Sequence, residues 1–459
     1  MLMKALIHLW RRENQIGKIA NFKENDSMST DNKGIVKLQS VDALKKTMGD
    51  YFNRLKVAVD TGNKKIAWCT SVGPAELLYS MGFEVYFPEN HGAMIGASKM
   101  ADKYIPTAVA HGYSPDICSY LTSDIGAFLQ NETPLQKSGF KSIPKPDVLV
   151  YNTNQCHEVG DWFMYYAKHF DVPIFGISTP LWISELTDAL VNSVAHQFKD
   201  IISGLEKIAE QKFDLEKFSK TVQLSHDGCV LWRKVLETAM HKPSPINFFD
   251  SSIHMGPIVV MRGTQYAIDY YKILLSELQD RIENNISAVP NEKLRIYWDG
   301  MPLWYKLSSM AKLFSNLDTC IVASTYCNSW IFDDLDPKDP FQSSALAYCK
   351  LFIVRSDEEK QKVLEKLMID FSIDGIIYHD AKTCGRNSNN RFGLPNRLAS
   401  KNNIPYLEIN GDLCDPRCYS EEQSIITIET FIEQLSNNTP VSFSNNLKTS
   451  LLTNEARNG

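Results

Sequence analysis

The chain has 459 residues, a formal net charge of −6 and 44% hydrophobic residues, enough for roughly two or three domains around a large buried core. Mild acidity without a block of Lys and Arg argues against nucleic acid as a partner, and no run of about 18 apolar residues offers a membrane span. The opening MLMKALIHLWRRENQ carries its arginines after a short apolar run and shows no small-residue cleavage site, so no secretion signal is read and a cytoplasmic location is expected.

Residues 1–40 are polar, rich in Asn, Lys, Asp and Ser, and read as an extension. A first lobe is expected over 41–181. KKIAWCT reads as a buried strand, PAELLYSMG as a short helix stopped by Gly82, and FEVYF as the next strand. PDVLVYNT, the helix around DWFMYYAKHF and VPIFGIST continue the rhythm, each strand almost continuously apolar as a parallel sheet requires. From 182 to 290 long amphipathic segments such as LEKFSKTVQLSHDGCVLWRKVLETAM predict a mainly helical region. LRIYWDG, TCIVAST, DGIIYHD and IPYLEING restart the strand rhythm in a second lobe over 291–440, and 441–459 revert to tail composition. The fold class is therefore α/β, two parallel-sheet lobes with a helical region between them.

Ten cysteines without a secretion signal are expected to stay reduced. None forms a CxxC pair, which excludes zinc ribbons and bacterial ferredoxin spacing, so any metal site must be assembled by the tertiary fold. Cys118, Cys156 and Cys384 follow strands or sharp turns, amid small polar residues. Three converging thiolates suit an iron–sulfur cluster with one open coordination position; the plainer alternative is three unrelated buried thiols. Cys229, Cys320 and Cys349 sit in apolar patterns and read as core. Ligands of open α/β sheets bind at the carboxyl ends of strands, where Ser71, Asn152, Asp299 and His379 also fall.

The strings WCTSVGPAELLYSMGFEVYFPENHGAMIG, GYSPDICSYLTSDIG, PKPDVLVYNTNQC, GPIVVMRGTQYAIDYY and LEINGDLCDPR, in this order over about Val41 to Leu435, resemble the cluster-carrying subunits of benzoyl-CoA reductases and 2-hydroxyacyl-CoA dehydratases. The resemblance implies two Rossmann-like lobes holding one [4Fe-4S] cluster through Cys118, Cys156 and Cys384. It also implies an acyl-CoA substrate, a related second cluster-carrying subunit and a separate ATP-dependent iron–sulfur activator. Single low-potential electrons would pass to the acyl-CoA thioester by way of a ketyl-type radical. WCTSVGPAE with PENHGAMIG looks closer to the reductase branch, so the expectation is the [4Fe-4S]-bearing subunit of an ATP-dependent benzoyl-CoA reductase-like complex. The alternatives are a 2-hydroxyacyl-CoA dehydratase subunit, a radical lyase using the same cluster, and a noncatalytic electron-transfer or scaffold subunit.

Ser71 and Glu89 match the motif positions that contact substrate in the related dehydratases, and His91 beside them is a second proton donor in reach of neutrality. Burial at a strand end would raise the Glu89 carboxyl toward acid–base duty; the alternative is a helix-capping carboxylate. Ser119, Thr122 and Ser123 are expected to donate hydrogen bonds to the Cys118 sulfur. A helix N-terminus is expected to favour the Cys156 thiolate, and Lys382 and Arg386 the Cys384 thiolate. Arg262 reads as a phosphate ligand or as half of an ion pair. No P-loop, GxGxxG or GxSxG motif is present.

Overall fold

The structure, a computed structural model, describes residues 37–388 and 393–437. Most of the expected 1–40 extension and all of the 441–459 tail lie outside the described residues. Strands β1 (Ile66–Cys69), β2 (Glu84–Tyr86), β3 (Val148–Asn152) and β4 (Ile174–Ile177) form one sheet in the order β2-β1-β3-β4. Strands β5 (Leu294–Asp299), β6 (Thr319–Ser324), β7 (Gly375–Ala381) and β8 (Tyr406–Gly411) form a second in the order β6-β5-β7-β8. Every pairing is parallel. Strands β1, β5 and β6 bury every residue, because crossover helices cover both faces and leave no side for polar alternation.

The two sheets share one strand order, and its consequence is where their crevices open. In each, the chain winds one way from the first strand and the other way from the third, so a crevice forms at the carboxyl ends of β1 and β3 and again at those of β5 and β7. The β1 end leads into Thr70 and Ser71, the β3 end into the turn holding Cys156, and the β7 end into the loop holding Cys384.

Helices Asp188–Asp200, Leu215–Glu237 and Gln265–Glu283 dominate the chain between the sheets. Helix Leu215–Glu237 starts where the Asp214 side chain accepts hydrogen bonds from the backbone N–H groups of Glu216 and Lys217. It buries Phe218, Val222, Ser225, Cys229 and Trp232, a stripe of helical period, and packs against Gln265–Glu283. Cys229, Cys320 and Cys349 lie in the core.

Gly96 and Arg262 supply two of the contacts that hold these parts together. Helix Pro88–Ala97 runs so close to the second sheet's connections that a Cβ on Gly96 would stand 2.5 Å from the Cys414 sulfur and 3.2 Å from the Trp304 Cβ; only glycine permits that approach. From the helical region, fully buried Arg262 pairs with Glu76 at 2.9 Å and donates to the carbonyls of Ser71 at 2.6 Å and Gly73 at 2.7 Å. Tyr348 and Ser225 hydroxyls donate to the same Glu76 carboxylate, each at 2.7 Å. The guanidinium is thus engaged inside the protein, and the ion-pair reading of Arg262 holds rather than the phosphate one. Replacing Arg262 by Met leaves Glu76 buried without its countercharge, so the variant should lose about 3–5 kcal/mol of stability by urea denaturation.

Candidate functional site

Loops from the carboxyl ends of both sheets line one cavity of about 130 Å³. Cys118, Cys156, Cys384, Ser71 and Glu89 all face it, as do Tyr120, Glu158, Trp162, Tyr326, Trp330 and Arg386. The aromatic walls lower the local dielectric, which strengthens the charge effects inside.

The three thiols reach this place by different local routes. Cys118 is the residue before helix Ser119–Leu129, and Cys156 stands two positions before helix Glu158–Phe170, so two of the three sit at helix N-termini. Cys384 belongs to the turn after β7, closed by its own N–H to the Ala381 carbonyl at 3.1 Å. A backbone N–H is aimed at each sulfur: Leu121 at Cys118, Val159 at Cys156, and Asn387 with Arg386 at Cys384.

Those donors do not win. Burial pushes the Cys156 thiol up to about 12, with negative charge on Cys384 and Glu158 adding to it. Burial likewise lifts Cys384 to about 11. Cys118 rises well above the usual thiol range, through burial first and then through Cys156 and Cys384. The expected thiolate stabilisation is therefore corrected: desolvation and mutual repulsion outweigh the helix dipole, and Lys382 is exposed and paired with Asp116 at 3.1 Å. The hydroxyl pattern is corrected too. Ser119 donates to Asp412, Thr122 to the Cys118 carbonyl and Ser123 to the Tyr120 carbonyl, so none of the three serves the sulfur.

Three neighbouring thiols that resist ionisation, each already met by a backbone donor, form a donor set whose thiolates need more positive charge than Arg386 on the cavity wall supplies. Iron supplies it, so the residues fit a cluster. Among the described residues no three His, Cys, Asp or Glu side chains close around a single metal ion. Cluster ligands bind different irons and stand farther apart than the ligands of one ion, so three thiols spread over a cavity wall suit the larger group.

Glu89 lies in the first turn of helix Pro88–Ala97, and its side chain reaches the β1 loop. The Ser71 N–H donates to Oε2 at 2.8 Å, whereas Oε1 is buried without a partner. Burial raises this carboxyl to about 7, against the opposing pull of the Ser71 hydrogen bonds. His91, two residues on in the same helix, does not line the cavity. Its Nδ1 meets Asp124, and its Nε2 meets the Thr133 hydroxyl at 2.8 Å. Asp124 also accepts from Trp162 Nε1 at 2.9 Å and the Tyr166 hydroxyl at 2.6 Å, tying together the three helices that follow Phe87, Cys118 and His157.

Glu158 escaped sequence reasoning. It faces the cavity and accepts the Cys118 N–H at 3.3 Å, but an acidic residue in a first helical turn reads as ordinary dipole compensation. Trp298, Trp304 and Tyr297 are core residues and do not themselves line the cavity. Its aromatic walls come from Tyr120, Trp162, Tyr326 and Trp330, of which only Tyr326 stands just past a strand end.

A family model described as 2-hydroxyglutaryl-CoA dehydratase, D-component, matches residues 70–435. The lactoyl-CoA dehydratase subunit alpha of Anaerotignum propionicum is 30% identical over 81% of this chain and 91% of its own length. The (R)-2-hydroxyisocaproyl-CoA dehydratase alpha subunit of Clostridioides difficile is 28% identical over 83% and 92%. A benzoyl-CoA reductase subunit of Thauera aromatica is 25% identical over 88% and 96%. With a match of this length, the chain belongs to the 2-hydroxyglutaryl-CoA dehydratase D-component family of lyase and oxidoreductase subunits.

Proposed function

We propose that the chain is the cluster-bearing alpha-type subunit of a 2-hydroxyacyl-CoA dehydratase. The carrying observation is the single cavity that brings Cys118, Cys156 and Cys384 together with a carboxyl poised near neutrality. The expectation of a reductase rested on two short strings. Identities of 28% and 30% to the dehydratase alpha subunits named above, against 25% to the reductase subunit, favour the lyase.

Cys118, Cys156 and Cys384 would hold a [4Fe-4S] cluster, which when bound supplies single low-potential electrons for the acyl-CoA thioester. The chain's own groups handle the proton. Glu89 Oε1 takes the proton from C3 of the acyl chain while hydroxide leaves C2; proton and hydroxide together make water, and a 2-enoyl-CoA remains. No net electron is consumed, because the one that is injected is returned. The Ser71 N–H holds Oε2 so that Oε1 is the reacting oxygen, and the Trp and Tyr walls keep bulk water from the charged intermediates. A related second subunit and an ATP-dependent iron–sulfur activator complete the system; the relatives' naming as alpha subunits supports the first.

In an anaerobic assay with activator, ATP and a 2-hydroxyacyl-CoA, many turnovers are expected per electron supplied. Stoichiometric consumption of reductant with benzoyl-CoA, and no dehydration, would instead make it a reductase. Because burial raises Glu89 to about 7, the carboxyl is largely protonated at pH 6 and largely ionised at pH 8. A base must be ionised, so kcat/KM should climb with pH through about 7. Glu89→Gln should retain its iron, lose that rise and fall by roughly 10²–10⁴ in kcat; unchanged turnover would remove Glu89 from the mechanism.

A further inference from the structure

Asp412 follows β8 and is completely buried, yet no step above uses it. Its carboxylate accepts five hydrogen bonds. Oδ2 takes the Thr383 N–H at 2.9 Å and the Thr383 hydroxyl at 2.6 Å. Oδ1 takes the Cys414 N–H at 3.0 Å, the Asp415 N–H at 3.1 Å and the Ser119 hydroxyl. All five partners donate, the pattern of an ionised carboxylate.

Two of these bonds have an ordinary explanation. An Asp that accepts from backbone N–H groups two and three residues on is closing its own turn. That role needs one oxygen and stays within the loop. It leaves unexplained why Oδ2 is given wholly to Thr383, and why Oδ1 also reaches Ser119, 293 positions away. Thr383 precedes Cys384 and Ser119 follows Cys118. The two are also joined directly, since the Ser119 N–H donates to the Thr383 hydroxyl oxygen at 3.0 Å.

We propose that Asp412 is a positioning residue for the metal-holding thiols, latching the Cys118 segment of the first lobe to the Cys384 segment of the second and setting a negative charge beside the cluster that lowers its reduction potential. The inference rests on the cluster reading of the cavity. A charge behind the ligands acts on potential because reduction adds an electron, and a neighbouring carboxylate repels it.

The test uses the full chain, loaded anaerobically with iron and sulfide, and reads iron content and midpoint potential by a redox titration followed by electron paramagnetic resonance. Asp412→Asn keeps the shape and removes the charge, so it should hold iron with a midpoint more positive than the unaltered chain. A midpoint unchanged or more negative overturns the proposal. Should Asp412→Asn not hold iron, Ser119→Ala decides: it deletes one donor and leaves a less compensated charge, so its midpoint should be more negative, and an unchanged or more positive value overturns the proposal. Failure of the unaltered chain to take up iron would overturn the cluster reading and Asp412's role with it, whereas iron uptake with unmoved midpoints in the variants sinks Asp412 alone.

Discussion

No single lobe owns the thiols. Cys118 and Cys156 hang from the first sheet's connections and Cys384 from the second's, so the site exists only while two separately wound sheets hold their crevices together. Several unusual features serve that one requirement. Gly96 lets a helix of the first lobe approach Cys414 at backbone distance. Trp304 of the second lobe donates its indole N–H to Tyr120, a cavity residue of the first. Hydroxyls beside two of the cysteines meet on one carboxylate. Each contact is polar or sterically exacting where nonspecific apolar packing would have sufficed, and such contacts fix a register that greasy surfaces leave free.

Compensation of buried charge is the second theme. Arg262 answers Glu76, and Arg295 inside fully buried β5 answers Glu292 while donating to the Phe371 carbonyl at 2.8 Å. Asp124 is surrounded by an imidazole, an indole and a phenol. At the cavity such compensation is incomplete. Glu89 leaves one oxygen without a partner, and three thiols crowd one cavity, each held back from ionising by burial.

The α/β rhythm was legible because parallel strands betray themselves as continuous apolar runs, and the strand ends together with the family resemblance pointed to Ser71, Cys156 and Cys384. What surrounds those residues was not legible. Ser119, Thr122 and Ser123 look like sulfur donors beside Cys118, yet short hydroxyl side chains in a helix turn back to carbonyls, and Ser119 finds a carboxylate from the far end of the chain. His91 adjoins Glu89 in sequence, but the helix turns it toward Asp124. The thiol environment was misread for the same reason: a helix N-terminus is visible in a sequence, whereas the burial that overrides it is a sum over distant elements.

The elevated thiols bear on the chemical reactivity of the chain. Thiolate, not thiol, is the species that oxidants and electrophiles attack. With Cys384 lifted to about 11, roughly one molecule in ten thousand carries that thiolate at pH 7. A cavity thiol held in its protonated form reacts slowly with either oxidants or electrophiles.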